Sequence, residues 1–202
     1  QLLQVLFAYE KQALPFDCLY DFRFVPEEDL TGCDHAQDYR RLLKIFREEY
    51  VYELLRIARE VTPFCLMEHV VGVHHVAMTV AYGLHEAGIP VDLALVSGAA
   101  AGHDLGKFGC KPGERVPYLH YYYTDRWFLA HDIPTIGHIA ANHSTWDLEI
   151  ENLSAESLAL IYADFRVKQS RDSEGREITT IYDLDASFQV ILDKLDNVDE
   201  AK

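Results

Sequence analysis

The stretch Ala99-Ala100-Ala101-Gly102-His103-Asp104-Leu105-Gly106-Lys107 indicates both how this chain folds and where its chemistry lies. Its first four residues are small, as in a tightly packed helix, and the next two can both bind a metal ion. Because adjacent residues on a helix point about 100° apart, His103 and Asp104 can share an ion only at a helix end or a local distortion. Gly106 supplies that conformational freedom, and Lys107 adds a cation that a bound phosphate could use. The stretch therefore predicts a metal site with anion chemistry.

Composition narrows the class of protein. The chain has 202 residues, enough for one domain with a substantial core. It lacks the run of roughly 18 apolar residues that a membrane span needs. Its 33 acidic and 18 basic residues give a net charge of −15, which argues against broad nucleic-acid binding and against an anionic membrane surface. We expect a protein that binds neither nucleic acid nor membrane, either within a longer chain or as a homo-oligomer.

The cysteines indicate the compartment. They are scattered without a C-x-x-C pair, at Cys18, Cys33, Cys65 and Cys110. This spacing favours free thiols in a reducing compartment and argues against a thiolate zinc site. We therefore expect a cytoplasmic protein.

Apolar residues recur at three- and four-residue steps along most of the chain, which predicts a mainly helical fold. Helices are expected over residues 1–14, 37–61, 64–87, 92–104, 118–130, 134–143, 155–168 and 185–195, with a short strand near 177–182. We expect three parts: an N-terminal helical extension over 1–60 that packs on the core, a core domain over 61–170, and a C-terminal β and helix appendage over 171–202.

Four residues, taken in order, resemble the metal-binding pattern of the HD superfamily of metal-dependent phosphohydrolases. That pattern is a helix-borne histidine, a His-Asp doublet and a later helix-borne aspartate, and the matching positions here are His69, His103, Asp104 and Asp164. The resemblance covers roughly residues 64–170. It implies an all-α HD-domain helical bundle, with a short C-terminal β element added, and it implies that these four side chains hold a first ion.

A second set of residues resembles one branch of that family. Residues 142–147, Asn-His-Ser-Thr-Trp-Asp, are similar to the His-His-x-x-Trp-Asp segment of the HD-GYP branch. In binuclear members, histidines at such positions complete a second metal site, so the resemblance implies His120 and His143 as ligands with Asp104 bridging. Asn142 replaces the first histidine and no Gly-Tyr-Pro follows, which argues against cyclic-dinucleotide hydrolysis.

Other histidines compete for these roles. His131 and His138 are rivals for the second ion. His74 and His75 compete with His69, but helical phase favours His69, because it shares an apolar face with residues such as Val73 whereas His75 lines up with polar ones. Imidazoles with carboxylates suit borderline divalent ions. We expect one or two divalent ions per chain, drawn from manganese, iron, nickel, cobalt, zinc and magnesium.

The expected function is a metal-dependent phosphohydrolase that cleaves a phosphomonoester or phosphodiester, such as a nucleotide, with a metal-activated water. Asp104 and Lys107 are the expected catalytic residues, and Lys107 with Arg166 (or Lys168) would bind the substrate phosphate. The aromatic run over residues 118–128 fits either a pocket for a base or sugar or, more simply, core packing. Two alternatives stay open: an HD-fold di-iron oxygenase on the same ligands, and a non-catalytic nucleotide-binding HD domain of a larger protein.

Overall fold

A computed structural model describes residues 25–51, 54–55, 67–111, 113–144, 153–174 and 177–195. Helices account for most of this part of the chain, and they are accompanied by a two-stranded sheet. The elements are α1 (Ala36–Glu48), α2 (Met67–Glu86), α3 (Leu93–Gly102), a 3₁₀ helix (Leu105–Gly109), α4 (Val116–Ala130), α5 (Pro134–Ala141), α6 (Ala155–Arg166), β1 (Val167–Arg171), β2 (Glu177–Ile181) and α7 (Leu184–Leu195). The prediction of an all-α fold with a short C-terminal β element is confirmed.

Helix α3 lies at the centre of the bundle. Asp92 begins it by accepting hydrogen bonds from the backbone N–H groups of Ala94 and Leu95, and every residue from Leu93 to Gly102 is buried. Its small side chains allow α1, α2, α5 and α6 to pack against it. A Cβ on Gly98, for example, would lie 3.1 Å from the side chains of both Leu42 and Ile136. The residues at the end of α3 therefore lie in the interior of the bundle.

Helix α2 is buried around most of its circumference, with buried residues at Met67, Ala81 and all of 69–78. The sequence predicted a polar face that includes His75, but His75 is buried. The difference arises because α3, α6 and both strands pack on this helix, which leaves little of it facing solvent. A helix enclosed in this way need not be amphipathic.

The two strands form an antiparallel hairpin whose register runs from Val167 opposite Ile181 to Arg171 opposite Glu177. The predicted strand near 177–182 is present. Its partner was not predicted, because the helical pattern was extended to residue 168 whereas α6 ends at Arg166. Val167 is buried against α2, where a Cβ on Gly72 would lie 2.9 Å from its side chain. Helix α6 ends directly before this contact, two residues earlier than the sequence predicted.

A chain of buried hydrogen bonds joins α1, α2 and α3. The backbone N–H of Val25 donates to the Tyr39 hydroxyl, which lies 2.8 Å from Ser97 Oγ, and His74 Nε2 also lies 2.8 Å from Ser97 Oγ. Burial lowers the pKa of His74 to about 3 and raises the pKa of Tyr39. His74 is therefore a neutral core residue that is already hydrogen-bonded.

Some predictions concern residues outside the described ranges. The helix expected over 1–14 and the segment that leads into α2 are among them, as are Cys18 and Cys65; Cys33 and Cys110 are free thiols. Among the helices that the structure does describe, none combines the length and apolar character needed to cross a membrane.

Candidate metal centre

Six side chains from separate parts of the bundle converge in one place, which we call the His–Asp cluster. It consists of His69 from α2, His103 and Asp104 at the end of α3, His120 from α4, His143 just after α5 and Asp164 from α6. The cluster adjoins a cavity of about 330 Å³. These are the six positions that the sequence proposed as ligands.

The first part of the cluster surrounds two carboxylate oxygens. His69 Nε2 lies 2.9 Å from Asp164 Oδ1 and 3.5 Å from Asp104 Oδ2. His103 Nε2 lies 3.6 Å from the same Asp104 oxygen and 3.8 Å from Asp164 Oδ1. Ligand atoms of His69, His103 and Asp164 all lie within 4.8 Å of one another, which allows one ion to reach them together.

The second part of the cluster faces the other oxygen of Asp104. His120 Nε2 lies 3.7 Å from Asp104 Oδ1 and 3.4 Å from His143 Nε2. His143 also forms a set with His103 and Asp104 in which the ligand atoms lie within 4.8 Å. One oxygen of the buried Asp104 carboxylate thus faces His69 and His103, and the other faces His120.

Backbone carbonyls fix the protonation of three of the rings. Nδ1 lies 2.8 Å from the Ala100 carbonyl in His103, 2.7 Å from the Val116 carbonyl in His120 and 2.6 Å from the Ala140 carbonyl in His143. A carbonyl oxygen only accepts, so each Nδ1 carries the proton and donates it. Each Nε2 then presents a lone pair to the cluster, the arrangement that second-shell contacts give metal-bound histidines.

Burial keeps these rings neutral. It is the largest influence on all three and lowers the pKa of His103 and His120, and that of His143 to about 4. His103 Nε2 is fully buried, yet it has no hydrogen-bond partner within the described part of the chain. A buried acceptor without a donor is costly, and a cation would satisfy it.

The carboxylates are ionised. Burial alone would raise the pKa of Asp104, but attraction to Lys107 outweighs burial and holds the pKa well below its usual range. Burial is likewise outweighed at Asp164, chiefly by the hydrogen bond from His69, and its pKa also lies below normal. Two ionised carboxylates thus lie beside the imidazoles, where a metal cation would be attracted to both.

Gly106 fixes the doublet against α4. A Cβ at Gly106 would lie 1.8 Å from the His120 carbonyl oxygen and 2.4 Å from the Thr124 backbone nitrogen, so only glycine fits. The Gly106 N–H donates to the Thr124 hydroxyl, which in turn donates to the His103 carbonyl. The glycine that was expected to give local freedom therefore also sets the spacing between His103 and His120.

The predicted substrate-binding residues occupy different places. Lys107 lines the cavity, with Nζ 2.5 Å from Asp104 Oδ2. Arg166 does not line it: its guanidinium donates to the Tyr162 hydroxyl and the Tyr182 carbonyl. Lys168 lines the cavity instead, and its ammonium donates to the Asp164 carbonyl at 3.1 Å.

Sequence reasoning did not single out Val116 and Val167, which line the cavity. Tyr121 also lines it, and its ring packs 3.9 Å from the His120 ring, centroid to centroid. Tyr121 belongs to the aromatic run that the sequence assigned either to a pocket or to core packing. Of that run, Tyr121 lines the cavity while Phe128 lies in the core.

The rival histidines lie elsewhere. His138 is exposed beside Asn142, and His131 contacts Glu49 and the Trp127 carbonyl. Neither belongs to a set of converging ligand atoms among the described residues. The second half of the segment similar to the HD-GYP branch, residues 145–147, lies outside the described ranges.

Comparisons with known proteins found no matching family model, no similar curated protein and no similar solved structure. The structure by itself gives a helical protein with buried histidine and aspartate side chains within metal-binding distance of one another. That arrangement is compatible with an HD-type domain.

Proposed function

We propose that the His–Asp cluster holds divalent metal ions and that the protein is an HD-type metal-dependent phosphohydrolase. The observation that carries the proposal is the position of Asp104, whose Oδ2 faces His69 and His103 and contacts the Lys107 ammonium, while its Oδ1 faces His120. Metal ligands next to a lysine that faces a cavity suit an anionic substrate.

The ligands divide into two sets. His69, His103, Asp104 and Asp164 would hold a first ion, and His120 and His143 would hold a second, with Asp104 shared between them. The buried, unpartnered Nε2 of His103 and the two ionised carboxylates both fit bound cations. Such ions supply an acidified water as the nucleophile and neutralise charge on the phosphoryl group.

Side chains of the protein itself would have the remaining catalytic roles. The Lys107 ammonium would contact a phosphoryl oxygen and stabilise the charge that builds there in the transition state. The Asp104 and Asp164 carboxylates would accept hydrogen bonds from the attacking water and orient it. The apolar walls at Val116 and Val167 would limit access of bulk water to the reacting group.

The test compares His143, a proposed ligand, with His138, an exposed histidine on α5. Wild-type protein, His143→Gln and His138→Gln are each loaded with Mn²⁺, and release of phosphate from p-nitrophenyl phosphate is measured together with metal content. We expect wild type and the exposed His138→Gln to behave alike. His143→Gln should lose metal affinity and activity by at least about tenfold.

Two results would contradict the proposal. One is equal activity in wild type and His143→Gln. The other is oxygen consumption with bound iron and no phosphate release from any ester, which would favour the oxygenase alternative. Tight nucleotide binding without turnover under every metal would instead favour a non-catalytic binding domain.

A further inference from the structure

Two lysines line the cavity from different elements. Lys107 lies in the 3₁₀ helix beside Asp104, and Lys168 lies on β1 with its ammonium on the backbone carbonyl of Asp164. His69 Nε2 contacts both aspartates. The contacts therefore run from Lys107 through Asp104, His69 and Asp164 to Lys168, with one ammonium group at each end of the series. An anion bound over this series would have a positive charge near each end.

The cavity is small and partly apolar. Its volume of about 330 Å³ lies at the lower end of the range for ligand pockets. Val116, Tyr121 and Val167 form its apolar lining. The chain's net charge of −15 also disfavours polyanions such as nucleic acids. Both features favour a small substrate.

Charge balance distinguishes two kinds of phosphate ester. In this cavity the carboxylates of Asp104 and Asp164 balance the ammonium groups of Lys107 and Lys168, and metal-bound imidazoles are neutral. Each divalent ion then adds two uncompensated positive charges. A phosphomonoester carries close to two negative charges near neutral pH, whereas a diester carries one. The monoester matches the site better.

Resting on the proposed function, we propose that the substrate is a small phosphomonoester and that Lys168 is a binding residue that recognises its dianionic phosphoryl group. Lys107 serves the same group from the other end of the cluster. The roles differ in one respect: Lys107 contacts a side-chain carboxylate of the cluster, whereas Lys168 donates to the backbone carbonyl of Asp164. Replacement of Lys168 should therefore weaken phosphate binding with little effect on metal binding.

The experiment compares Lys168→Met with Lys44→Met, which removes the same charge from an exposed position on α1. Inorganic phosphate is titrated calorimetrically into each Mn²⁺-loaded protein. We expect unchanged affinity in Lys44→Met, a loss of about tenfold in Lys168→Met, and retention in Lys168→Arg, since a charge-assisted hydrogen bond accounts for roughly that factor. Metal content should be equal in all four proteins.

A kinetic arm uses p-nitrophenyl phosphate and bis(p-nitrophenyl) phosphate. Wild type should favour the monoester, and Lys168→Met should lose about tenfold in kcat/KM for the monoester and less than about twofold for the diester. Equal phosphate affinity in wild type and Lys168→Met, or a preference for the diester, would overturn the inference. Phosphate binding that depends on Lys168 without cleavage of either ester would support the binding role and contradict the proposed hydrolase.

Discussion

Asp104 makes more of the cluster's contacts than its neighbour in the doublet. Its Oδ2 lies near His69, His103 and Lys107, and its Oδ1 faces His120. The side chain is almost completely buried. A buried carboxylate with partners on both oxygens joins the two halves of the site and cannot be replaced by a residue that supplies one oxygen and no charge.

Replacement of Asp104 by asparagine tests this role at constant size. The variant keeps the shape of the side chain but removes the negative charge, leaving Lys107 without its partner. We expect metal affinity and phosphatase activity to fall by at least about 100-fold, the upper end of what loss of an outer-shell partner causes. Metal analysis and steady-state kinetics measure the two losses, and full activity in the variant would contradict the account.

The sequence predicted the six proposed ligands better than it predicted the other residues that line the cavity. The six proposed ligands come from five separate parts of the chain, a property visible in the sequence. Sequence analysis named Arg166 as a substrate-binding residue, with Lys168 as the alternative. The chain turns into β1 after Arg166, and Lys168 lines the cavity whereas Arg166 does not. Such a turn depends on tertiary packing, which single residues do not reveal.

At the scale of the element, the 3₁₀ helix after α3 sets the geometry of the site. It turns the chain directly after the doublet and brings Gly106 into contact with the backbone of α4. The distance between the doublet and His120 therefore depends on the absence of a side chain at one position.

Gly106→Ala and Gly83→Ala should have effects of opposite sign. An added Cβ at Gly106 meets backbone atoms, so we expect a loss of about 1–3 kcal/mol in the free energy of unfolding, the usual cost of overpacking. At Gly83, in α2, nothing lies within 4 Å of the added atom, and alanine should stabilise the helix by up to about 1 kcal/mol. Chemical denaturation measures both. Equal effects would show that Gly106 does not pack as described.

The hydrogen-bond chain between α1, α2 and α3 provides a second element-scale prediction. Ser97→Ala removes the hydroxyl that both Tyr39 and His74 contact, so we expect a loss of about 1–3 kcal/mol in unfolding free energy. The matched control is Ser187→Ala, because the buried Ser187 hydroxyl has no hydrogen-bond partner among the described residues. That variant should be as stable as wild type. Similar losses in both would contradict a specific role for the chain.

Most helix positions within the described residues were predictable because their apolar periodicity and end signals are local, but the helix expected over 37–61 ends at Glu48. Asp92 before α3 and the prolines at the starts of α4 and α5 mark helix ends directly in the sequence. The unpredicted strand β1 and the buried His75 have the opposite cause. Both depend on what packs against α2, which becomes known only when the elements are assembled.

For the whole molecule, buried neutral histidines couple stability to pH. The pKa is about 3 for His74 and about 4 for His143, against about 6.5 for an ordinary histidine. As pH falls below that ordinary value, these histidines become protonated in the unfolded chain but stay neutral in the folded chain. Stability is therefore complete above about pH 6.5 and is lost as pH falls through the window down to these lowered values.

Urea unfolding with EDTA at pH 7.5 and pH 5 measures this loss. Each such histidine contributes up to about 1.4 kcal/mol per pH unit inside the window, so wild type should lose a few kcal/mol. His143→Gln should show a smaller dependence on pH. Asp104 and Asp164 also have lowered pKa values, but these change the unfolding free energy only below about the ordinary aspartate pKa of 3.8. That range lies outside the interval from pH 5 to pH 7.5. Equal stability at both pH values would contradict the burial of neutral imidazoles.

The most direct measurement is anomalous diffraction from crystals of the Mn²⁺-loaded protein. We expect anomalous peaks within the His–Asp cluster, one among His69, His103 and Asp164 and a second beside His120 and His143, with one oxygen of Asp104 directed at each. Folded protein that shows no peak among these six side chains, under saturating metal, would contradict this expectation.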